Sequence, residues 1–587
     1  MSQDENGKYS KKMKIPMFGL LVLMVGSLSA ATPTVDAIEQ PLAACDAAND
    51  RAWAELADPA AFAAKRDAFR EMFRRKIGFH GIVRSPLNAR TVGSKAYDGF
   101  RVEKVILESE PGGYVTALVF VPDEAKFKPP YAGYMFIPGH SAAGKAEITY
   151  LRSCELGARN GLAAVIYDPL GQGERSQGAK LRGADEHVRI GAYAVLLGET
   201  AATYMLRDAV RVLDYFASRP DIDPSRLGVS GNSGGGTMSA FFMVADGRVK
   251  AATPSCYLSS AREHLIACGP QDAEQNFFDE FSWGFNHAAL IFAAGCPVLI
   301  NAALGDFFQI GGSRSTYRLV KDVAARMSLP ADWYALSQAP GPHEMSRVHR
   351  EQSVAFILRH LTGETRTVTE TVTNVYVEAD WTVTPTGEVS ELPGFKPIYD
   401  TLAEKFVRKG VSVEKAAANG VPLVKRELSG ADSVAVLATL KGSLVRGQRA
   451  TLHLGGVADA QEATVTLFTD GDRYTAKPLR KGKRSYYERR NDDEVVAVDL
   501  YLAGRSLVAL RAAELLTVAA ELEKRTGLKP RLVAEGRYTV PAKFARAADP
   551  AAFAEVVLRD EPKPWLESLR RREYLSFADT GAIYSGK

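Results

Sequence analysis

The sequence predicts an α/β fold in which a doubly wound, mostly parallel sheet is covered on both faces by helices, with a second, worn lobe of similar build after it. Three observations carry this expectation. Short, continuous apolar strands alternate with helix-compatible stretches, the pattern of strands buried on both faces. One of them, Leu227-Gly228-Val229-Ser230, enters a Gly-x-Ser-x-Gly turn and leaves it as a helix-compatible run, Thr237-Met238-Ser239-Ala240-Phe241. The chain has 587 residues, more than a single core sustains, and strand and helix patterns recur near its end.

The elements follow in order. Residues 51–77 read as an amphipathic helix, with Ala54, Leu56, Phe62, Phe69 and Phe73 among its apolar positions. Residues 105–107 and 115–121, split by Pro111-Gly112-Gly113, read as a hairpin. Met135-Phe136-Ile137 then opens the alternating part. A helix near 146–160 follows, then the strand Ala163-Ala164-Val165-Ile166-Tyr167, a long helix over about 197–218 and the Leu227 strand. Val298-Leu299-Ile300 is a further strand, and 346–361 a last helix. In such sheets the chemistry gathers beyond the carboxyl ends of the strands.

Composition is that of a soluble globular protein: 46% hydrophobic and 24% charged, with a net charge of +4. That charge is too small for this length to point to nucleic acid or an anionic membrane surface. Lys8, Lys11, Lys12 and Lys14 precede an apolar run to Ala30, and Ser29-Ala30-Ala31 supplies small residues for cleavage. Residues 1–31 therefore read as a secretory signal, with Met1 or Met13 as the start. The expected location is secreted or periplasmic, with no stable membrane anchor after cleavage. Leu42-Ala43-Ala44-Cys45 matches a lipoprotein box only by coincidence, because a polar stretch separates it from the apolar run. The five cysteines show no paired metal spacing. Cys256 and Cys268 read either as a short-loop disulfide or as buried free thiols.

Three residues stand where an acyl-transfer site needs them. Ser233 occupies the sharp strand-to-helix turn, and Gly231 and Gly235 flank it because a Cβ there would collide with neighbouring backbone. Asp306 follows the 296–304 strand, and His343 lies in the Pro342 loop before the last helix. The order serine, acid, histidine suits a proton relay: His343 takes the Ser233 proton and returns one to the leaving group, while Asp306 fixes the ring. The loop Gly139-His140-Ser141 follows the Met135 strand, so the His140 or Ser141 amide, with that of Gly234, is expected to hold the oxyanion. In Tyr167-Asp168-Pro169-Leu170-Gly171-Gln172-Gly173, Asp168 reads as a turn cap. Arg175 beyond it offers a two-pronged contact to a substrate carboxylate.

With these residues in place, the chain from about 105 to 360 resembles the acetylxylan esterase, cephalosporin deacetylase and dienelactone hydrolase branch of the α/β-hydrolases. It looks especially like secreted two-lobed bacterial carbohydrate esterases. The strings PGHSAAGKAE, YDPLGQGERSQ, GNSGGGT, PSCYLSS, GPQDAEQN and GDFF carry the resemblance. It implies the Ser233, Asp306 and His343 triad, the His140 loop in the oxyanion hole, and hydrolysis of acetyl or methyl esters on a polysaccharide or oligosaccharide without cofactor or metal. Pectin methylesterases are related, whereas the Gly-Cys-Ser-Arg elbow associated with glucuronoyl esterases is replaced by Gly231-Asn232-Ser233-Gly234. A prolyl-oligopeptidase-type peptidase would need a propeller that no repeat before this lobe provides. A non-catalytic glycan-binding protein is the other alternative. Oligomeric state is not legible.

The expected division is a catalytic domain at 40–365 and a degenerate α/β-hydrolase-like lobe at 380–587. Val495-Val496-Ala497-Val498-Asp499 echoes the strand before Asp168, and Arg531-Leu532-Val533-Ala534-Glu535-Gly536 echoes the strand before Ser233, with a helix at 506–525 between them. Tyr538 then stands in the serine's place, followed by Val540-Pro541 where the elbow has glycines, so no nucleophile is expected there. The basic run Lys477, Arg480, Lys481, Lys483 and Arg484 reads as a solvated loop or a face for an acidic glycan.

Overall fold

A computed structural model describes residues 18–24, 36–178, 181–371, 374–429, 435–441, 443–455, 464–467 and 492–580. Two compact units emerge. The larger takes in Pro33–Gly420, Tyr474–Val508 and Lys563–Lys587, and the smaller Met1–Thr32, Val421–Arg473 and Ala509–Pro562. The basic run at 477–484 lies outside the described residues. Among those residues, no helix is long and apolar enough to cross a membrane.

The larger unit is built on a nine-stranded sheet. From one edge its order is Tyr334–Ala339, Val298–Ala303, Val249–Ser255, Ile222–Asn232, Tyr131–Ile137, Leu162–Tyr167, Gly113–Pro122, Phe100–Glu110 and Arg90–Tyr97. The first six are parallel. The last three join antiparallel, two of them as the expected hairpin. Strand period two explains how both faces are buried. Met135 and Ile137 point into one core, against Leu206 and Val210 of the Ala201–Ala217 helix and Met238 and Phe241 of the Gly234–Ala245 helix. Tyr134 and Phe136 point into the other, against Leu151 of the Ile148–Arg159 helix and Ile357 of the Arg347–Thr362 helix.

Local signals set several boundaries. The expected helix at 51–77 is in fact two, Asp36–Ala54 and Pro59–Lys76. Asp58 caps the second through the Ala60 and Ala61 amides, both at 2.9 Å, and Pro59 fits the first helical position. Three described strands of the larger unit escape the sequence pattern. Val249–Ser255 carries Thr253 and Pro254, Tyr334–Ala339 is a partly exposed edge, and Arg90–Tyr97 is exposed along most of its length. Cys256 and Cys268 are buried free thiols.

The smaller unit holds a six-stranded sheet ordered Phe18–Met24, Ala435–Lys441, Thr464–Leu467, Thr451–Leu454, Arg531–Glu535 and Glu555–Arg559. Its last four strands are parallel, and Ala435–Lys441 is antiparallel to both its neighbours. In the uncleaved chain the apolar run expected as the heart of a signal forms the edge strand Phe18–Met24, which removal of residues 1–31 would take out of this sheet. The helix Leu507–Thr526 and the strand Arg531–Glu535 stand as expected. Val495 to Asp499 do not form a strand: they lie within the helix Asp492–Leu502, which falls in the larger unit. A short apolar run is compatible with either state, and Asn491-Asp492-Asp493 before it suit a helix start as well as a turn. Tyr538 does follow a strand and precede a helix, Thr539–Ala548, but its backbone is right-handed, φ −74° and ψ −8°.

A Cβ on Gly235 would lie 1.9 Å from the Ile137 carbonyl oxygen, and one on Gly231 2.3 Å from the Gly235 oxygen. Gly235→Ala must push two adjacent strand ends apart. Chemical denaturation is expected to show a loss of at least about 3 kcal/mol.

Candidate active site

Ser233 ends the Ile222–Asn232 strand and caps the Gly234–Ala245 helix at φ 60°, ψ −125°. A serine held at positive φ is strained, and such strain lifts the side chain off the sheet rim. The Ser233 amide donates to the Ser255 carbonyl at 3.0 Å, which ties the turn to the end of the neighbouring strand. Asp306 follows the Val298–Ala303 strand and His343 the Tyr334–Ala339 strand, so both hang from the same rim as Ser233.

Asp306 and His343 meet as expected. His343 Nδ1 is 2.8 Å from Asp306 Oδ1, and the Phe308 amide donates to that same oxygen at 3.0 Å. Burial would lift the Asp306 carboxyl, but the hydrogen bond and charge of His343 hold it below the usual aspartate range. The Phe307 ring packs on the imidazole, centroids 4.4 Å apart. With Nδ1 committed to the acid, Nε2 is the nitrogen left for proton transfer. Ser233 neighbours this pair through the adjacent strand end: Ser255 accepts its amide, and the next residue, Cys256, donates to the Glu344 carbonyl at 3.6 Å with its sulfur within 4.8 Å of facing Asp306 and His343 atoms. Ser233 Oγ and His343 make no direct hydrogen bond, a contact that commonly tightens only around substrate.

Of the two candidate amides in the His140 loop, one is already engaged. The Ser141 amide donates to the Gly139 carbonyl at 2.7 Å and is therefore spent. Gln172 Nε2 clamps the Gly139 and Ser141 carbonyls at 2.6 and 2.8 Å. Carbonyl and amide of a trans peptide point to opposite sides, so this clamp aims the His140 amide away from Gln172. A Cβ on Gly139 would come within 2.9 Å of Ser233 Cβ, and one on Gly234 within 2.4 Å of the His140 ring. The His140 loop thus lies directly on the serine turn, beside a helix start whose first amides have no acceptor within the helix.

Asp168 is a structural cap, as expected. It accepts from the Lys145 amide at 2.8 Å, Thr116 Oγ1 at 2.6 Å and the Glu174 amide at 3.2 Å. The buried Lys145 ammonium bridges Asp168 at 2.6 Å and Glu174 at 2.5 Å. Arg175 requires a correction. It is 2% exposed, its Nη1 bonds Asp208 at 2.6 Å and its Nε the Tyr114 carbonyl at 2.7 Å. Both prongs are consumed inside the protein, so it does not face a substrate carboxylate. Gln172 was read only as part of a turn shaped by the glycines around it, and Cys256 only as a thiol or half of a disulfide, so neither was placed beside the site.

No family model matches the chain. It is 27% identical over 206 residues to YtaP of Bacillus subtilis strain 168, whose name assigns it as a hydrolase by inference; the match takes in 33% of this chain and 64% of YtaP. Among solved structures it is similar to methylesterase BT1017, with 23% identity, 62% of this chain and 79% of that one covered, and a TM-score of 0.49. It is also similar to acetyl xylan esterase 1 from Thermoanaerobacterium sp., with 16% identity, coverage of 50% and 94%, and a TM-score of 0.37. A glucuronoyl esterase from Solibacter usitatus gives 14% identity, coverage of 48% and 91%, and a TM-score of 0.36.

The Lys145 bridge sets a measurable property of these loops. Lys145→Met leaves two buried carboxylates unpaired and is expected to lose about 3–5 kcal/mol in urea titrations near neutral pH. Burial raises the Glu174 carboxyl, but Lys145 outweighs this and holds it below its ordinary value. The stabilisation is therefore present above about pH 4.3, the unfolded glutamate value, and is lost as pH falls through the folded one. The gap between parent and variant should narrow in that acid window. With its strand order, its left-handed serine turn and an acid and histidine on the neighbouring strand ends, the chain has the α/β-hydrolase fold.

Proposed function

We propose that this protein is a serine esterase, exported by the 1–31 leader, that removes acetyl or methyl groups from plant-type polysaccharides. The observation that carries the reading is the strained, left-handed Ser233 beside the Asp306–His343 pair. Ser233 Oγ attacks the ester carbonyl while His343 Nε2 takes its proton. The Gly234 and His140 amides receive the developing oxyanion. Collapse of that intermediate breaks the bond to the alcohol, which leaves with the proton from His343, and the acyl group stays on Ser233. His343 then draws a proton from water, the hydroxide attacks the acyl carbonyl, and the acid departs as Ser233 regains its proton.

The resemblance in the sequence supports the ester and the glycan class, and no residue here selects between acetyl and methyl. The loss of Arg175 as a carboxylate contact removes the residue that favoured a uronate-bearing substrate.

A fluorophosphonate probe should label Ser233 in the folded protein, and labelling should vanish in Ser233→Ala. The same variant should lower kcat for ester hydrolysis by about four orders of magnitude or more with its thermal midpoint unchanged. Absence of an adduct on Ser233 ends the esterase reading in favour of a glycan-binding one. Acetate released from acetylated xylan, set against methanol released from methylated pectin, assigns the acyl group. The amino-terminal residue of protein recovered outside the cytoplasm tests the leader, with Thr32 expected.

A further inference from the structure

Behind the His140 loop lies a group of side chains that the esterase reading leaves unused. His140 comes from the loop after the Tyr131–Ile137 strand, His187 from the Ala184–Ala194 helix, and Asp272 and Glu274 from the segment that opens the short Ala273–Gln275 turn. All four side chains are buried, with exposures of 8%, 0%, 4% and 0%. We infer that His140, His187 and Glu274 bind a divalent cation of the zinc class, directly behind the oxyanion loop.

The donor atoms converge. His140 Nε2 is 2.8 Å from Glu274 Oε1 and 3.1 Å from His187 Nδ1, and His187 Nδ1 is 3.5 Å from Glu274 Oε2. Ligands about 2.1 Å from a tetrahedral centre stand about 3.4 Å apart, so these separations fit a common centre. Neither oxygen of Glu274 makes an aligned hydrogen bond, although the carboxylate is fully buried. Two atoms that approach ring nitrogens this closely without hydrogen-bond geometry face the centre of the group rather than one another's protons.

An outer contact backs each ring. His187 Nε2 is 2.8 Å from the Leu170 carbonyl, which can only accept, so Nε2 carries a proton and the neutral ring presents its Nδ1 lone pair inward. His140 Nδ1 lies 3.1 Å from Asp272 Oδ2, at ion-pair distance but without hydrogen-bond alignment, so the carboxylate's charge rather than a directed bond backs this ring, and without a cation its Nε2 shares a hydrogen bond with His187 Nδ1. A carboxylate on one metal-facing histidine and a carbonyl on the other are the supports that metal-binding imidazoles ordinarily have.

Charge gives the same answer. Asp272 and Glu274 are two buried carboxylates, and among the described residues no lysine or arginine pairs with either. With neutral rings the group carries two negative charges, which a divalent cation cancels and which burial otherwise makes costly. Two imidazole nitrogens with one carboxylate suit zinc and its neighbours rather than calcium or magnesium, which require oxygen ligands. The sequence conceals this site because its ligands are spread over residues 140 to 274, without the close spacing that marks a metal motif.

The test is independent of catalysis. Protein purified without chelator should carry about one equivalent of zinc-class metal by plasma mass spectrometry. Dialysed against chelator, it should melt several degrees lower and recover on addition of zinc. Cobalt added to the stripped protein should give the visible absorption of a four- or five-coordinate site. Glu274→Gln and His187→Ala should each reduce bound metal at least tenfold, with near-ultraviolet circular dichroism confirming the fold, while Ser233→Ala should keep the full equivalent whether or not the protein is an esterase. Stripped wild-type protein that takes up neither zinc nor cobalt, or that melts unchanged after chelation, means that protons alone hold the group, and overturns the proposal. Variants that bind as much metal as the parent overturn this assignment of ligands.

Discussion

The larger unit depends on how closely two strand ends approach each other. The Ile222–Asn232 and Tyr131–Ile137 strands are neighbours in the sheet, and the turn after the first lies against the loop after the second without room for a side chain. That approach places a strained serine, a helix start and the His140 loop within a few ångströms. A peptide amide is a useful electrostatic device only when it cannot turn away, and the peptides around both loops are held by neighbours. The Ser233 amide is bonded to Ser255, which fixes the turn that presents Gly234, and Gln172 clamps the Gly139 and Ser141 carbonyls around His140.

Buried charge performs the same task at longer range. Lys145 joins the loop after one strand to the loop after the next through Asp168 and Glu174, and Glu174 goes on to accept from the Val383 and Thr384 amides. Arg175 joins the Tyr114 carbonyl to Asp208 on the Ala201–Ala217 helix. Such pairs contribute little net stability beside apolar replacements of similar shape, but their geometry allows few alternatives. The rim of the sheet is therefore laid out by ions under the loops rather than by the loops' own propensities.

The elements easiest to read in the sequence were those in which pattern and environment agree. The Met135 and Val165 strands are apolar on both faces because both faces are covered, and the Ser233 turn could be recognised because glycine is required on either side of it. Order after strands singled out Ser233, Asp306 and His343, and the structure brings Asp306 and His343 to 2.8 Å. The misreadings have a common cause. The 495–499 run is as apolar as a strand yet lies in a helix, because neighbours in space decide between the two states for so short a segment. Arg175 was given a substrate to hold because its real partner, Asp208, lies 33 residues away on another element. Gln172, Cys256, His187 and Glu274 were hidden for the same reason: each acts through residues distant in the chain, and one sequence records no distances.

Cys256 has a consequence of its own. A sulfur stands beside Asp306 and His343, within 4.8 Å of their facing atoms. Burial first, and then the Asp306 carboxylate, raise this thiol well above its ordinary value. It is thus held in the form that neither attacks carbon nor ligates metal, because both reactions belong to the thiolate. Alkylating agents and mild oxidants will pass this centre by, and sensitivity to thiol reagents is no guide to which atom does its chemistry.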